Sequence, residues 1–186
     1  YVEIPDEFDK AAITQIEVKE DAVFNVSFNQ CVNLTHVDVD AQNVEIGENV
    51  FQDMEKLQTA KISGQVNLKA NCFSSCKTLE NLELESCQTI GQKAFYDCTS
   101  LKKITIPDNV TRIGGHAFYG DSNLSEVLLT SNSKLNEIGS SAFRQCSSLS
   151  SITIPRTTYV NERAFKESPT DIQYFDANEP YYNTSN

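Results

Sequence analysis

The sequence predicts a solenoid of about seven to eight stacked coils of 22–25 residues. Short parallel strands should form its concave face, with turns and short 3-10 or helical segments on the convex side. Three observations carry this. A phenylalanine recurs at Phe28, Phe51, Phe73, Phe95, Phe118, Phe143 and Phe165, at spacings of 23, 22, 22, 23, 25 and 22. Four further apolar columns keep register with it. The segment after each Phe ends in the period-two alternation of a strand. One such unit cannot bury its apolar face alone, so repeats of this length stack.

The columns define the unit. Six residues after the Phe come Leu34, Leu57, Leu79, Leu101, Leu124 and Leu149; nine after come Val37, Ala60, Leu82, Ile104, Val127 and Ile152. Eleven after come Val39, Ile62, Leu84, Ile106, Leu129 and Ile154, and five before come Val23, Ile46, Leu68, Ile90, Ile113, Ile138 and Val160. Positions +9 and +11 point inward and their neighbours outward. After each strand a turn is expected, often with Pro, Asp or Asn, as in Pro107-Asp108-Asn109.

Gly47, Gly91, Gly114 and Gly139 stand four residues before the Phe, where positive φ or close backbone approach suits glycine. Asn161 fits the same column, and Lys69 should mark a local distortion. The Ala-Phe pairs, such as Ala94-Phe95, should open a short helical or 3-10 turn. Each buried Phe contributes about 1.5–3 kcal/mol, so the seven form the main spine. Seven or eight coils span roughly 35–40 Å. The 25-residue repeat carries its extra residues in the loop Thr130-Ser131-Asn132-Ser133.

At the start, Ile13, Ile16 and Val18 fit the strand pattern, so residues 1–20 read as a cap or partial coil before an array over 21–170. Residues 171–186 read as a cap or tail. There either Ile172 and Tyr174, or Ile172, Phe175 and Ala177 with a one-residue slip, could continue the strand columns. Tyr174, Phe175, Tyr181 and Tyr182 would cover the open last coil or form a ligand platform.

Composition narrows function. The 186 residues include 15 Lys and Arg against 26 Asp and Glu, a net charge of −11, which argues against nucleic acid or an anionic membrane as partner. Residues 1–60 hold 13 acidic and 3 basic side chains, so the imbalance sits in the first third, as a solvated end or as a patch for a basic partner. Hydrophobic residues make up 39%, enough for a core, and no apolar run is long enough to span a membrane. The chain begins at Tyr1 rather than Met, which reads as a processed or trimmed product.

Segments such as Ala94-Phe-Tyr-Asp-Cys-Thr-Ser-Leu-Lys-Lys-Ile-Thr-Ile-Pro-Asp-Asn-Val-Thr-Arg-Ile-Gly114 closely resemble the BspA-like leucine-rich repeat. The resemblance covers residues 10–176 and is strongest from Cys72 to Phe165. It implies a leucine-rich-repeat solenoid, an extracellular or cell-surface location in host-associated bacteria or parasitic protists, and adhesion or protein binding. It brings no catalytic residues and no cofactor. The binding role is analogy from fold.

Cys31, Cys76, Cys98 and Cys146 share the column three after the Phe, with Met54, Asp121 and Ser168 at equivalent positions. They read as small buried packing residues. Six cysteines, with Cys72 and Cys87, would permit disulfides, but same-column side chains point the same way. Cys72-x-x-x-Cys76 lacks a second pair for zinc. His116 falls in a variable column and reads as an incidental residue of a solvent-facing turn. No nucleophile or phosphate-cradling motif occurs, so no enzyme is expected.

The outward strand columns form the candidate binding face. They are His36, Thr59, Asn81, Lys103, Glu126 and Ser151 at +8, and Asp38, Lys61, Glu83, Thr105, Leu128 and Thr153 at +10. At +12 they are Asp40, Ser63, Glu85, Pro107, Thr130 and Pro155. The N-terminal half is acidic through Asp38, Asp40, Glu83 and Glu85. A cation between these carboxylates lacks a dense acidic loop pattern to support it. With no aromatic on this face, a protein ligand on a host or neighbouring cell is favoured over a sugar; a spacer without its own ligand is the alternative. The chain should be a monomer. The sequons at Asn25, Asn33, Asn109, Asn123 and Asn183 would matter only in a eukaryotic secretory route.

Overall fold

The computed structural model describes Val2 and residues 4–175. Its backbone winds into a stack of coils whose strands all pair in parallel. The strands are β1 (Gln15–Val18), β2 (Ala22–Phe24), β3 (His36–Ile46), β4 (Thr59–Leu68), β5 (Asn81–Ile90) and β6 (Lys103–Thr105). They continue as β7 (Arg112–Ile113), β8 (Glu126–Leu128), β9 (Glu137–Ile138), β10 (Ser151–Ile154), β11 (Tyr159–Val160) and β12 (Asp171–Tyr174). One eight-stranded sheet runs β1-β3-β4-β5-β7-β9-β11 with β2 also on β3; β6–β8 and β10–β12 form two smaller ladders.

The strands differ from expectation in length. In the coils of β3, β4 and β5 no turn interrupts the chain, and each strand runs 10 or 11 residues from the +8 column through to the −5 column. Bulges take the place of the turn: β3 carries an extra residue between Asp40 and Asn43, and β4 one between Ile62 and Gln65. Gly64, with φ 96°, sits at the second bulge. In the later coils Pro107 and Pro155 supply no N–H, and the longer Thr130–Ser133 loop intervenes. There each long strand splits into two short ones. That loop is tied back to the preceding coil, Thr130 Oγ1 donating to Asp108 Oδ1 at 2.6 Å and Lys134 N–H to the Asp108 carbonyl at 2.8 Å.

The core is the predicted set of columns. Phe51, Phe73, Phe95, Phe118 and Phe143 are fully buried, and from Phe51 to Phe165 successive rings stack with centroids 5.1–5.6 Å apart. Phe28 joins the ladder at a tilt, and Phe24 extends it. Phe24, not Val23, takes the −5 position, because it pairs with Ile46 while Val23 faces Glu45 on the outer side. Phe165 is half-buried, with only Phe143 stacked on it among the described residues.

The convex side is made of turns rather than helix; the one 3-10 helix described is Lys10–Ala12, before the array. The turns at Phe51, Phe73, Phe95, Phe118 and Phe143 each contain two residues of positive φ, two before and two after the Phe; the turn at Phe165 keeps only Glu167, and the turn at Phe28 has neither. Examples are Lys93 and Asp97, His116 and Gly120, and Ser141 and Gln145. These left-handed residues reset the chain every four positions, so consecutive i→i+3 bonds such as Tyr96 N–H to Lys93 O and Cys98 N–H to Phe95 O never propagate into a helix. Between coils, the N–H of Phe73, Phe95, Phe118 and Phe143 donates to the carbonyl before the next Phe at 2.8–2.9 Å.

The glycine column works through close approach alone. Its members do not have positive φ, but a Cβ on Gly91 would lie 2.6 Å from both the Leu68 and Lys69 carbonyl oxygens. Asn161 likewise has no positive φ. Lys69 is accommodated without the expected distortion. Its N–H donates to Ile46 O at 2.9 Å, as Gly47 N–H does to Phe24 O at 2.7 Å. The nearby irregularity is an extra residue in β5 between Cys87 and Ile90.

At the far end, β12 pairs with β10 so that Ile172 and Tyr174 lie opposite Ile152 and Ile154, which settles the register without a slip. Tyr174 is 45% exposed with the Arg156 guanidinium 5.6 Å over its ring, and Phe175 N–H donates to Ile154 O at 3.1 Å. Tyr181, Tyr182 and the sequon at Asn183 lie outside the described residues.

Candidate functional site

The outward columns assemble as the periodicity predicts. Along the sheet, His36 pairs with Thr59 and Thr59 with Asn81; Asp38 pairs with Lys61 and Lys61 with Glu83. Asp40 pairs with Ser63, and Lys103 and Thr105 of β6 lie opposite Glu126 and Leu128 of β8. Asp38, Asp40, Lys61, Asn81, Glu83, Glu85, Lys103, Thr105, His36 and Leu128 are therefore side chains of one face, and all are exposed. Leu128, 41% exposed, is its one large apolar group.

A rung was missed. β1 pairs with β3 so that Gln15 faces His36 and Glu17 faces Asp38. Gln15, Glu17 and the following Lys19 thus begin the three columns. The signal was present in Ile13, Ile16 and Val18, which marked the strand; the residues between them were its outward side chains.

Electrostatics divide the face. Five carboxylates (Glu17, Asp38, Asp40, Glu83 and Glu85) stand in its N-terminal half against two lysines. Lys19 lies 2.7 Å from Glu17, and its pKa is raised first by that hydrogen bond and also by Asp40 and Asp38. Glu85 Oε2 accepts the Gly64 N–H at 3.1 Å, which ties it to the β4 bulge. Asp38 and Asp40 have no ion-pair partner within 4 Å among the described residues. Further along, Lys103 and Glu126 neutralise one another at 3.2 Å. His36 Nδ1 lies 2.7 Å from Thr35 Oγ1, which itself donates to the Thr14 carbonyl. Among the described residues no group of three His, Cys, Asp or Glu side chains is placed to hold a metal ion.

The thiol column lies beneath the convex turns. All six cysteines are buried and free. Cys76, Cys98 and Cys146 do more than fill space, because each Sγ donates to the carbonyl of the preceding coil's Phe, at 3.0, 3.2 and 3.0 Å. Ser168 makes the same bond to Phe143 O at 2.5 Å while accepting the Cys146 N–H. Burial pushes the Cys76 thiol up to about 12 and Cys87 to about 11, so they are poor nucleophiles. Asp121 occupies this column fully buried. Its Oδ1 accepts the Cys98 N–H at 2.8 Å, and its Oδ2 has no partner. Burial, and secondarily Asp97, raise its pKa well above the usual carboxylate range.

On the convex surface Tyr96 and Tyr119 stack at 5.0 Å, with Lys93 over one ring and Arg144 over the other. His116 is half-buried beside this stack, 5.6 Å from the Tyr119 ring.

The sequence matches the BspA type leucine-rich repeat region in six copies, over residues 5–125 and 66–183. The chain belongs to that family. Solved leucine-rich repeat proteins share its fold. One from Eubacterium ventriosum superposes with a TM-score of 0.71 at 21% identity, over 92% of this chain and 47% of that one. One from Bacteroides ovatus gives 0.57 at 20% identity, over 84% and 42%. The T. pallidum leucine-rich repeat protein gives 0.55 at 24% identity, over 71% and 67%. The BspA-type chain described here spans under half the length of the first two. No curated protein matches it. No helix among the described residues is long and apolar enough to cross a membrane.

Proposed function

We propose that this BspA-type array is a cell-surface or extracellular binding module, not an enzyme, and that it holds a basic protein surface against the N-terminal half of its concave face. The supporting observation is the register. Five carboxylates from three of four successive rungs (β1, β3 and β5) project from one sheet, and only two lysines stand among them. Such a field steers a cationic partner and fixes its orientation more than it adds raw affinity. Leu128 and the Thr-rich C-terminal half offer a neutral continuation of the same surface.

The test is surface capture of purified extracellular-matrix and host-surface proteins, with the wild type beside a variant carrying Lys at Asp38, Asp40, Glu83 and Glu85. At about 0.2–1 kcal/mol per exposed charge pair, the four substitutions should cost at least about fourfold in affinity, and wild-type binding should weaken with salt. Absence of capture in wild type at low salt would leave the array as a spacer. Capture unaffected by the four substitutions would move the site elsewhere.

A further inference from the structure

A trough of about 770 Å³ lies on a different face, over the second halves of β2 to β5, where bulges replace the turns found in later coils. Its volume is that of an ordinary ligand site. Its floor is the rung Ala22, Val44, Val66 and Cys87, whose side chains are buried. Charged groups held by hydrogen bonds mark its two ends. At one end the Asp21 carboxylate accepts the Asn43 N–H at 2.9 Å and Asn43 Nδ2 at 3.1 Å. At the other, Lys134 Nζ donates to Asn109 Oδ1 at 2.9 Å. Between them stand Glu45, half-buried with Lys69 Nζ 3.9 Å from its carboxylate, and the three amide residues Gln65, Asn67 and Gln88. The last three are exposed, and their amides make no hydrogen bond among the described residues.

We propose that this trough binds a short extended peptide, its ammonium end at Asp21 and its carboxylate end at Lys134. From β2 to the coil of Lys134 is five inter-strand steps of about 4.8 Å, about 24 Å in all. Seven extended residues span about 23–25 Å, so a heptapeptide with free termini presents opposite charges at that separation. The side-chain amides offer the same donor and acceptor as a peptide group, so contacts in the middle go to the ligand backbone and tolerate its sequence. A neutral oligosaccharide would leave both charged ends unanswered, and no aromatic side chain lines the trough for a sugar face.

The probe is Ser-Gly-Ser-Gly-Ser-Gly-Ser with free termini, titrated into the whole chain at low salt and followed by NMR shifts. Saturable binding is expected. Asp21→Asn and Lys134→Gln, both at exposed positions, should each weaken it at least about threefold, with circular dichroism unchanged. Amidating the peptide carboxylate should weaken binding to wild type but not to Lys134→Gln. The concave fourfold lysine variant should bind the peptide as wild type does, which separates this site from the concave one. No saturable binding at millimolar peptide, equal binding of a doubly capped peptide, or binding of maltoheptaose in its place would overturn the proposal.

Discussion

Replacing Asp121 by Asn should stabilise the protein at neutral pH, which is unusual for a fully buried core residue. In this column Cys76, Cys98, Cys146 and Ser168 each donate to the preceding coil's Phe carbonyl, Cys98 to Phe73 O and Ser168 to Phe143 O among them. The equivalent acceptor for Asp121 is Phe95 O. A carboxylate cannot donate to it, and Oδ2 is left without a partner. Asn keeps the shape, keeps an acceptor for the Cys98 N–H, and supplies an N–H₂ where Oδ2 was orphaned. A buried unsatisfied polar atom costs about 1–3 kcal/mol. For a chain of this length each kcal/mol is about 2–4 °C in Tm, so Asp121→Asn should melt roughly 2–12 °C higher at pH 7. The pH dependence has a definite sign. The folded-state pKa of Asp121 is raised above its unfolded value of 3.8. Its favourable contribution is therefore complete below about 3.8 and is lost as pH rises through the folded value. Asp6, Asp21 and Glu167, whose pKa values are lowered by hydrogen-bonding partners, act in the opposite sense, but they are common to both proteins. The difference in Tm between variant and wild type, measured by thermal melts from pH 3.5 to 8, should thus grow with pH. A variant that melts no higher than wild type at pH 7, or a difference that stays flat, would refute the reasoning.

The close approach at the glycine column separates two superficially similar substitutions. Gly91→Ala should destabilise by about 1–3 kcal/mol, because its Cβ meets backbone at 2.6 Å, whereas Gly115→Ala, with its nearest neighbour at 3.3 Å, should change the urea midpoint little. Phe95→Ala, in the middle of the stacked ladder, should cost about 3–5 kcal/mol in urea melts. The six buried thiols should react with Ellman's reagent at pH 8 no faster than the chain opens, so their rate should rise with urea below the main transition.

Most of the architecture was legible because one residue type, Phe, recurs in a column that only stacking can bury, and because strand alternation assigns every neighbour a side. The same logic places Asp38, Lys61 and Glu83 on one face, and the strand register pairs them there. The misses have local physical causes. Val23 and Phe24 are both apolar and adjacent, and only pairing with Ile46 decides which turns inward. Positive φ in the convex turns falls on Lys93, His116 and Asp97, residue types that do not announce it. The long strands β3 to β5 depend on bulges at Ala41-Gln42 and Gly64 rather than on any strand-forming run. The trough likewise runs over those bulged coils, with Asp21 at one end and Lys134 at the other, residues more than a hundred positions apart in the chain.

The bonds from each Phe N–H to the next coil have a mechanical consequence. They lie along the long axis of the stack, and the chain leaves the stack at opposite ends. Tension applied through the two ends therefore loads one coil boundary at a time rather than the whole ladder in shear. Each coil that peels away surrenders about 4.8 Å of folded length and releases 22 or so residues, about 75 Å of extended chain. An array held at one end and pulled at the other would yield in regular steps, dissipating force coil by coil while the remaining rungs keep their register.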